Sequence, residues 1–201
     1  MKKISYLAVL FSTLFFISCD TNDDGFYNNK IIDVNPGLVT FNTTTNYNVG
    51  DYLFVDADFS RYQTEIGQTG LLDLYKTTGN ADVFAFSYVI ERKINTTEWE
   101  TIFVDDSQLQ INKGDALNGA YVYGLCEYNS ADETYEYNVG FPLLSTGNYR
   151  LSFGYNSDST KNVELRSLNK PKDISFMRSR SMRYCVRISS KLHRSVISSN
   201  G

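Results

Sequence analysis

Asp56 and Asp58 stand two residues apart in Leu53-Phe54-Val55-Asp56-Ala57-Asp58-Phe59. In an extended strand that spacing puts both carboxylates on one face, with Cα atoms about 6.6–6.8 Å apart. Joined by Asp105 and Asp106, such a pair has the hard oxygen chemistry that suits calcium. Alternatively, the two carboxylates could serve as acid and base on a glycosidic bond. A plainer reading carries more weight: a solvated strand face at Asp56 and Asp58, and an Asx turn at Asp105-Asp106.

The rest of the chemical inventory is thin. His193 is the single histidine and lies in a basic C-terminal stretch, so Ser-His-Asp and Cys-His arrangements are excluded from the body of the chain. Zinc needs several Cys or His ligands, which the body lacks, and no phosphate-cradling glycine loop is present. No catalytic residue is assigned, and calcium is the one cofactor left open. Cys126, in the apolar run Tyr121-Val122-Tyr123-Gly124-Leu125-Cys126, reads as a small buried hydrophobe. A disulfide to Cys185 stays open if the protein is exported. Tyr121, Tyr123, Tyr135 and Tyr137 would form a sugar-stacking or protein-binding patch if exposed; aromatic residues at strand period are more often core.

The N-terminus decides the compartment. Lys2 and Lys3 precede an apolar run over residues 4–17 that ends in Ser18-Cys19. The run is short of the ~20 residues a membrane-spanning helix needs and has the form of a secretion signal. Phe16-Ile17-Ser18-Cys19 resembles the bacterial lipobox, with a small residue before the cysteine, although Phe16 and Ile17 depart from its usual residues. That resemblance implies cleavage before Cys19 and acylation of its thiol, and two acyl chains suffice for stable anchoring. Asp20-Thr21-Asn22-Asp23-Asp24 is similar to the acidic export tether of Bacteroidota surface lipoproteins. It implies outward display on the outer membrane; a solvated linker in the periplasm is the alternative.

Charge is unevenly spread. Residues 20–171 carry 22 carboxylates against 10 basic side chains, whereas residues 172–201 carry 7 basic side chains against the single Asp173. An acidic body argues against nucleic acid, whose binding needs a basic surface to displace counterions.

These residues must be positioned by strands. Tyrosine (15) and phenylalanine (13) are abundant, proline is scarce (3), and long helix-forming runs are absent, which favours an all-β fold. Leu53, Val55, Ala57 and Phe59 alternate with Phe54, Asp56, Asp58 and Ser60, the period of a strand with one face on a core. Residues 83–90 are apolar at both parities, as in a central strand covered on both faces, and form a hairpin with residues 99–104. Residues 61–70 read as a polar connection, 71–75 as a short strand, and further strands are expected over 120–128, 135–141 (ending at Pro142) and 163–168. Asn112-Lys113-Gly114-Asp115 shares turn chemistry with Asn48-Val49-Gly50-Asp51.

Two stretches carry a fold resemblance. Tyr47-Asn48-Val49-Gly50-Asp51-Tyr52-Leu53-Phe54-Val55 resembles the second strand of immunoglobulin-like modules in bacterial surface proteins. Gly147-Asn148-Tyr149-Arg150-Leu151-Ser152-Phe153 is similar to the entry into their penultimate strand. The resemblance implies an immunoglobulin-like antiparallel β-sandwich, with Tyr149 at a corner and its hydroxyl bonded to backbone upstream.

The expected organisation is a lipoprotein signal peptide (1–18), a lipidated Cys19 with an acidic tether (19–29), the sandwich (30–170) and a basic Ser/Arg-rich tail (171–201). In the tail, Met182, Tyr184, Val186, Ile188 and Leu192 leave room for one last strand; a disordered extension and a terminus foreign to the domain, as a shifted reading frame would produce, also stay open. Asp158-Ser159-Thr160 resembles an O-glycosylation acceptor of exported Bacteroidota proteins, with Ser159 as the acceptor. The functional expectation is a lipid-anchored cell-envelope binding or structural module without catalytic apparatus, partnered by the membrane and by a glycan or surface protein. Glycan capture for nutrient uptake and a carboxylate-dependent hydrolase are the alternatives.

Overall fold

A computed structural model describes residues 30–34, 37–41, 46–153, 162–168, 184–189 and 195–200. The signal peptide, Cys19 and the tether, Asn35-Pro36, Ser159, His193 and residues 171–183 of the tail lie outside the described residues. The elements in order are β1 (Lys30–Val34), β2 (Val39–Phe41), β3 (Asn46–Asn48), β4 (Tyr52–Ser60), β5 (Tyr62–Thr64), β6 (Leu71–Asp73), helix α1 (Leu74–Thr77), β7 (Val83–Lys93) and β8 (Trp99–Thr101). After a 3-10 turn (Asp106–Gln108) come β9 (Gln110–Lys113), β10 (Asp115–Leu117), β11 (Val122–Asn129), β12 (Thr134–Pro142), β13 (Gly147–Phe153), β14 (Asn162–Leu168), β15 (Tyr184–Ser189) and β16 (Ser195–Asn200). Among the described residues no helix is long and apolar enough to cross a membrane.

The fold is all-β and sandwich-like. Fourteen strands join one curled sheet with the path β1-β15-β14-β7-β11-β12-β4-β2, while β5 and β6 form a separate hairpin. The ladders are antiparallel except β1 with β15 and β16 with β3. Period-two alternation builds the core: Leu53, Val55, Ala57 and Phe59 of β4 are buried and stand opposite Phe141, Val139, Tyr137 and Tyr135 of β12. β7 is the central strand expected, with β11 along one edge and β14 and β13 along the other. Its Phe84, Phe86, Tyr88 and Ile90 enter the main core, and Val83 and Ala85 pack on the opposite face with Leu125 and Leu168.

Several expectations need correction. The partner of β7 in the hairpin is only the three residues of β8, pairing Glu91 with Thr101 and Lys93 with Trp99; beyond it the chain turns away and leaves Phe103 61% exposed. The 61–70 connection contains β5, which pairs with β6. Leu74 and Tyr75 are helical rather than extended, because the Asp73 carboxylate accepts the Lys76 backbone N–H at 3.2 Å and caps a helical turn.

Of the alternatives left open for the tail, a strand is what the described residues hold: β15 is seated between β1 and β14. A further strand, β16, lies between β13 and β3, so the basic segment contributes two strands to the same sheet. β13 is therefore not penultimate. Its corner tyrosine nonetheless does what the resemblance implied: Tyr149 is 1% exposed, and its hydroxyl donates to the Ser145 carbonyl at 2.6 Å.

The disulfide reading falls. Cys126 is buried and free, and it pairs with Phe84, which pairs with Ser167, whereas Cys185 pairs with Arg166. Three ladder steps therefore separate β11 from β15, on the order of 14 Å at ~4.8 Å per step, well beyond the ~7 Å that a disulfide tolerates between Cα atoms.

Candidate functional site

The outer face of β4 and β12 holds the most suggestive arrangement of side chains. The register that sends alternate residues inward leaves five outward pairs: Tyr52 with Pro142, Phe54 with Gly140, Asp56 with Asn138, Asp58 with Glu136 and Ser60 with Thr134. β2 adds Thr40 beside Asp56. β9 flanks β12 on the other side, and its ladder breaks where Asn138 faces Lys113 but Val139 faces Ile111. Asn112 is the extra residue of a β-bulge, which turns consecutive side chains toward one face.

That bulge organises two networks. Asn112 Nδ2 donates to Asn138 Oδ1 at 2.7 Å, and Asn138 Nδ2 donates to Asp56 Oδ1 at 2.7 Å. The result is a directed chain of amides ending on a carboxylate. Lys113 lies 3.2 Å from Glu136 Oε2 and 3.7 Å from Asp58 Oδ2, and so offsets part of the repulsion between two carboxylates that stand directly opposite each other across the ladder. Burial opposes the charge on Glu136, yet hydrogen bonds from Asn129, Lys113 and Thr134 hold its carboxyl below the usual range. The bond to Glu136 raises the Lys113 ammonium in turn.

Thr40, Phe41, Phe54, Asp56, Asn112 and Asn138 line a shallow groove of about 420 Å3. Phe54 forms its half-buried aromatic wall. A glycine opposite makes that possible, since a Cβ on Gly140 would come within 2.8 Å of the Phe54 ring. Gly114, two residues past the bulge, is required more strictly: it has φ +68°, and a Cβ there would meet the Leu125 carbonyl oxygen at 2.4 Å.

The residues singled out for calcium are not gathered. Asp56 lies in the groove, Asp58 faces Lys113, the Asp105 N–H bonds Gln108 Oε1 at 2.9 Å, and Asp106 Oδ1 accepts the Asn118 N–H at 2.8 Å. Among the described residues no group of three or more His, Cys, Asp or Glu side chains is placed to hold a metal. The tyrosine patch divides: Tyr135 and Tyr137 are fully buried and belong to the core, while Tyr121 and Tyr123 are half-exposed with ring centroids 6.0 Å apart. Sequence reasoning placed Phe54 and Asp56 on the outward face but missed Thr40, Asn112, Asn138 and Gly140. A lone glycine within the alternating run of β12 was the available signal, because it marks a bulge or a close approach.

Among the described residues, Arg61, Arg92 and Arg150 are held in ion pairs away from the groove. Arg61 lies 3.2 Å from Asp73 and 3.0 Å from Glu133, and Arg150 grips Glu91 through two nitrogens at 2.5 and 2.7 Å with its guanidinium over Trp99. Both act as structural clamps. Comparisons with protein-family models, curated proteins and solved structures find no match to this chain.

Proposed function

We propose that this chain is a lipid-anchored binding module of a Bacteroidota cell envelope, held on the outer membrane through acyl chains on Cys19 and facing outward, without catalytic apparatus. The observation that carries the binding reading is the groove over β2, β4, β12 and β9, whose polar groups come from four adjacent strands and of which Asn112, Asn138 and Asp56 are joined by hydrogen bonds before any ligand arrives. Groups held on rigid elements keep their geometry and bind at low ordering cost. The anchor and its orientation rest on the lipobox-like Phe16-Ile17-Ser18-Cys19 and the acidic residues that follow it. A carboxylate-dependent hydrolase is less well supported: Asp56 is the one carboxylate lining the groove and Asp58 and Glu136 share Lys113, whereas acid and base work on a glycosidic bond takes two carboxyl groups flanking it.

Fractionation and intact-mass analysis of the full chain, beside Cys19→Ala, test this reading. The expected product sits in the outer-membrane fraction, begins at an acylated Cys19 and is cut by protease added to intact cells, while Cys19→Ala is released. A soluble wild-type product overturns the anchor. An anchored product that resists external protease overturns the outward orientation.

A further inference from the structure

Resting on the reading of the β2-β4-β12-β9 groove as a binding face, we infer that its ligand is an uncharged saccharide, with Phe54 as the stacking surface and Asp56, Asn138 and Asn112 as the hydroxyl-reading edge. Charge excludes one class first. The lining contains one carboxylate and no basic side chain, and the nearby Lys113 is engaged by Asp58 and Glu136, so phosphates, sulfates and carboxylates meet no counter-charge.

The polar groups suit vicinal hydroxyls. A pyranose presents neighbouring O–H groups that donate and accept at once, and Asn side chains offer both functions while a carboxylate accepts. The hydrogen-bonded chain from Asn112 through Asn138 to Asp56 uses Asp56 Oδ1 and leaves Oδ2 to accept from a ligand, with a further N–H on each amide to donate. These bonds also fix the rotamers of three polar side chains, so little freedom is lost on binding.

The apolar wall supplies the remaining recognition. One face of a pyranose is a row of C–H groups, which packs on the electron-rich face of an aromatic ring. Phe54 is half-buried and lies against Gly140, where any larger residue would displace it. The volume, about 420 Å3, falls within the ~300–1,000 Å3 of small-molecule clefts.

The test is NMR titration of the folded chain with neutral gluco-, manno-, xylo- and N-acetylgluco-hexasaccharides, with a pool of uncharged decapeptides and with tetramethylammonium as comparison probes. The expected result is that one saccharide class shifts the side-chain amide signals of Asn112 and Asn138. Its dissociation constant should be independent of salt, rise about tenfold or more in Phe54→Ala, consistent with loss of a stacked aromatic, and recover in Phe54→Tyr, which keeps the ring. Shifts from the peptides or the cation without shifts from any saccharide overturn the saccharide and retain the binding face. No shift at Asn112 or Asn138 from any probe overturns both.

Discussion

Phe54 lies against Gly140 so closely that a methyl group on the glycine would approach the Phe54 Cε1 atom to 2.8 Å. The two residues face each other across the β4–β12 ladder, and the glycine sets where the ring rests. Gly140→Ala is therefore expected to push the ring out of the groove at modest cost, roughly 1 kcal/mol, because the far end of a side chain can swing aside. Gly114→Ala meets the Leu125 carbonyl oxygen at 2.4 Å and has φ +68°, so neither backbone nor neighbour can yield cheaply, and a loss of about 3 kcal/mol is expected. Urea denaturation of the two variants checks the order; equal losses would contradict it.

Tyr88 and Tyr137 share a hydrogen bond of 2.9 Å between hydroxyls deep in the core, where both are fully buried. Burial raises the pKa of each hydroxyl, so both stay protonated. Removing one hydroxyl strands the other, which costs roughly 1–3 kcal/mol. Tyr88→Phe and Tyr137→Phe should each destabilise, and the double variant should lose clearly less than the sum. Additive losses in a denaturation cycle would mean that each hydroxyl has another partner.

Cys126 should be chemically silent in the folded protein. Burial, and secondarily the charge of Asp56, push its thiol well above the usual range, so the reactive thiolate is scarce. In a variant with the other two cysteines replaced by serine, labelling by a thiol reagent at pH 8 should run on the order of 100-fold slower than in urea-unfolded chain. Comparable rates in the two states would show that β11 opens locally.

The acid side of the stability profile should report Glu136. Its folded-state pKa is depressed, so its stabilisation is complete above the unfolded glutamate value of about 4.3 and is lost as pH falls through the folded value. The stability advantage of wild type over Glu136→Gln should accordingly be greatest near pH 7 and shrink as the solution is taken below about pH 4. Urea midpoints that run parallel across this range would show that Asn129, Thr134 and Lys113 do not favour the charged form.

Local pattern was enough to place much of the sheet. Alternation in Leu53-Phe54-Val55-Asp56-Ala57-Asp58-Phe59 identified both faces of β4, double-sided apolarity identified β7, and Tyr149 after its glycine turn made the expected corner bond. Period two says which residues share a face, because successive side chains in any extended strand point opposite ways. It does not say whether an aromatic face is turned to a core or left open to a ligand, so Tyr135 and Tyr137, open to reading as a surface patch, proved to be core once β12 paired with β4.

The sequence by itself determined the all-β class, the main strands, the outward placement of Asp56 and the poverty of the body in histidine and thiol chemistry. Tertiary structure alone decided the candidate site. Asn138 reaches residues 26 positions before it and 82 positions before it, and Asn112 turns toward them only because the ladder between β9 and β12 skips a residue there. The places taken by β15 and β16 are of the same kind. Strand partners and bulges are settled by hydrogen bonds between segments far apart in the chain, and no local window of residue types contains that information.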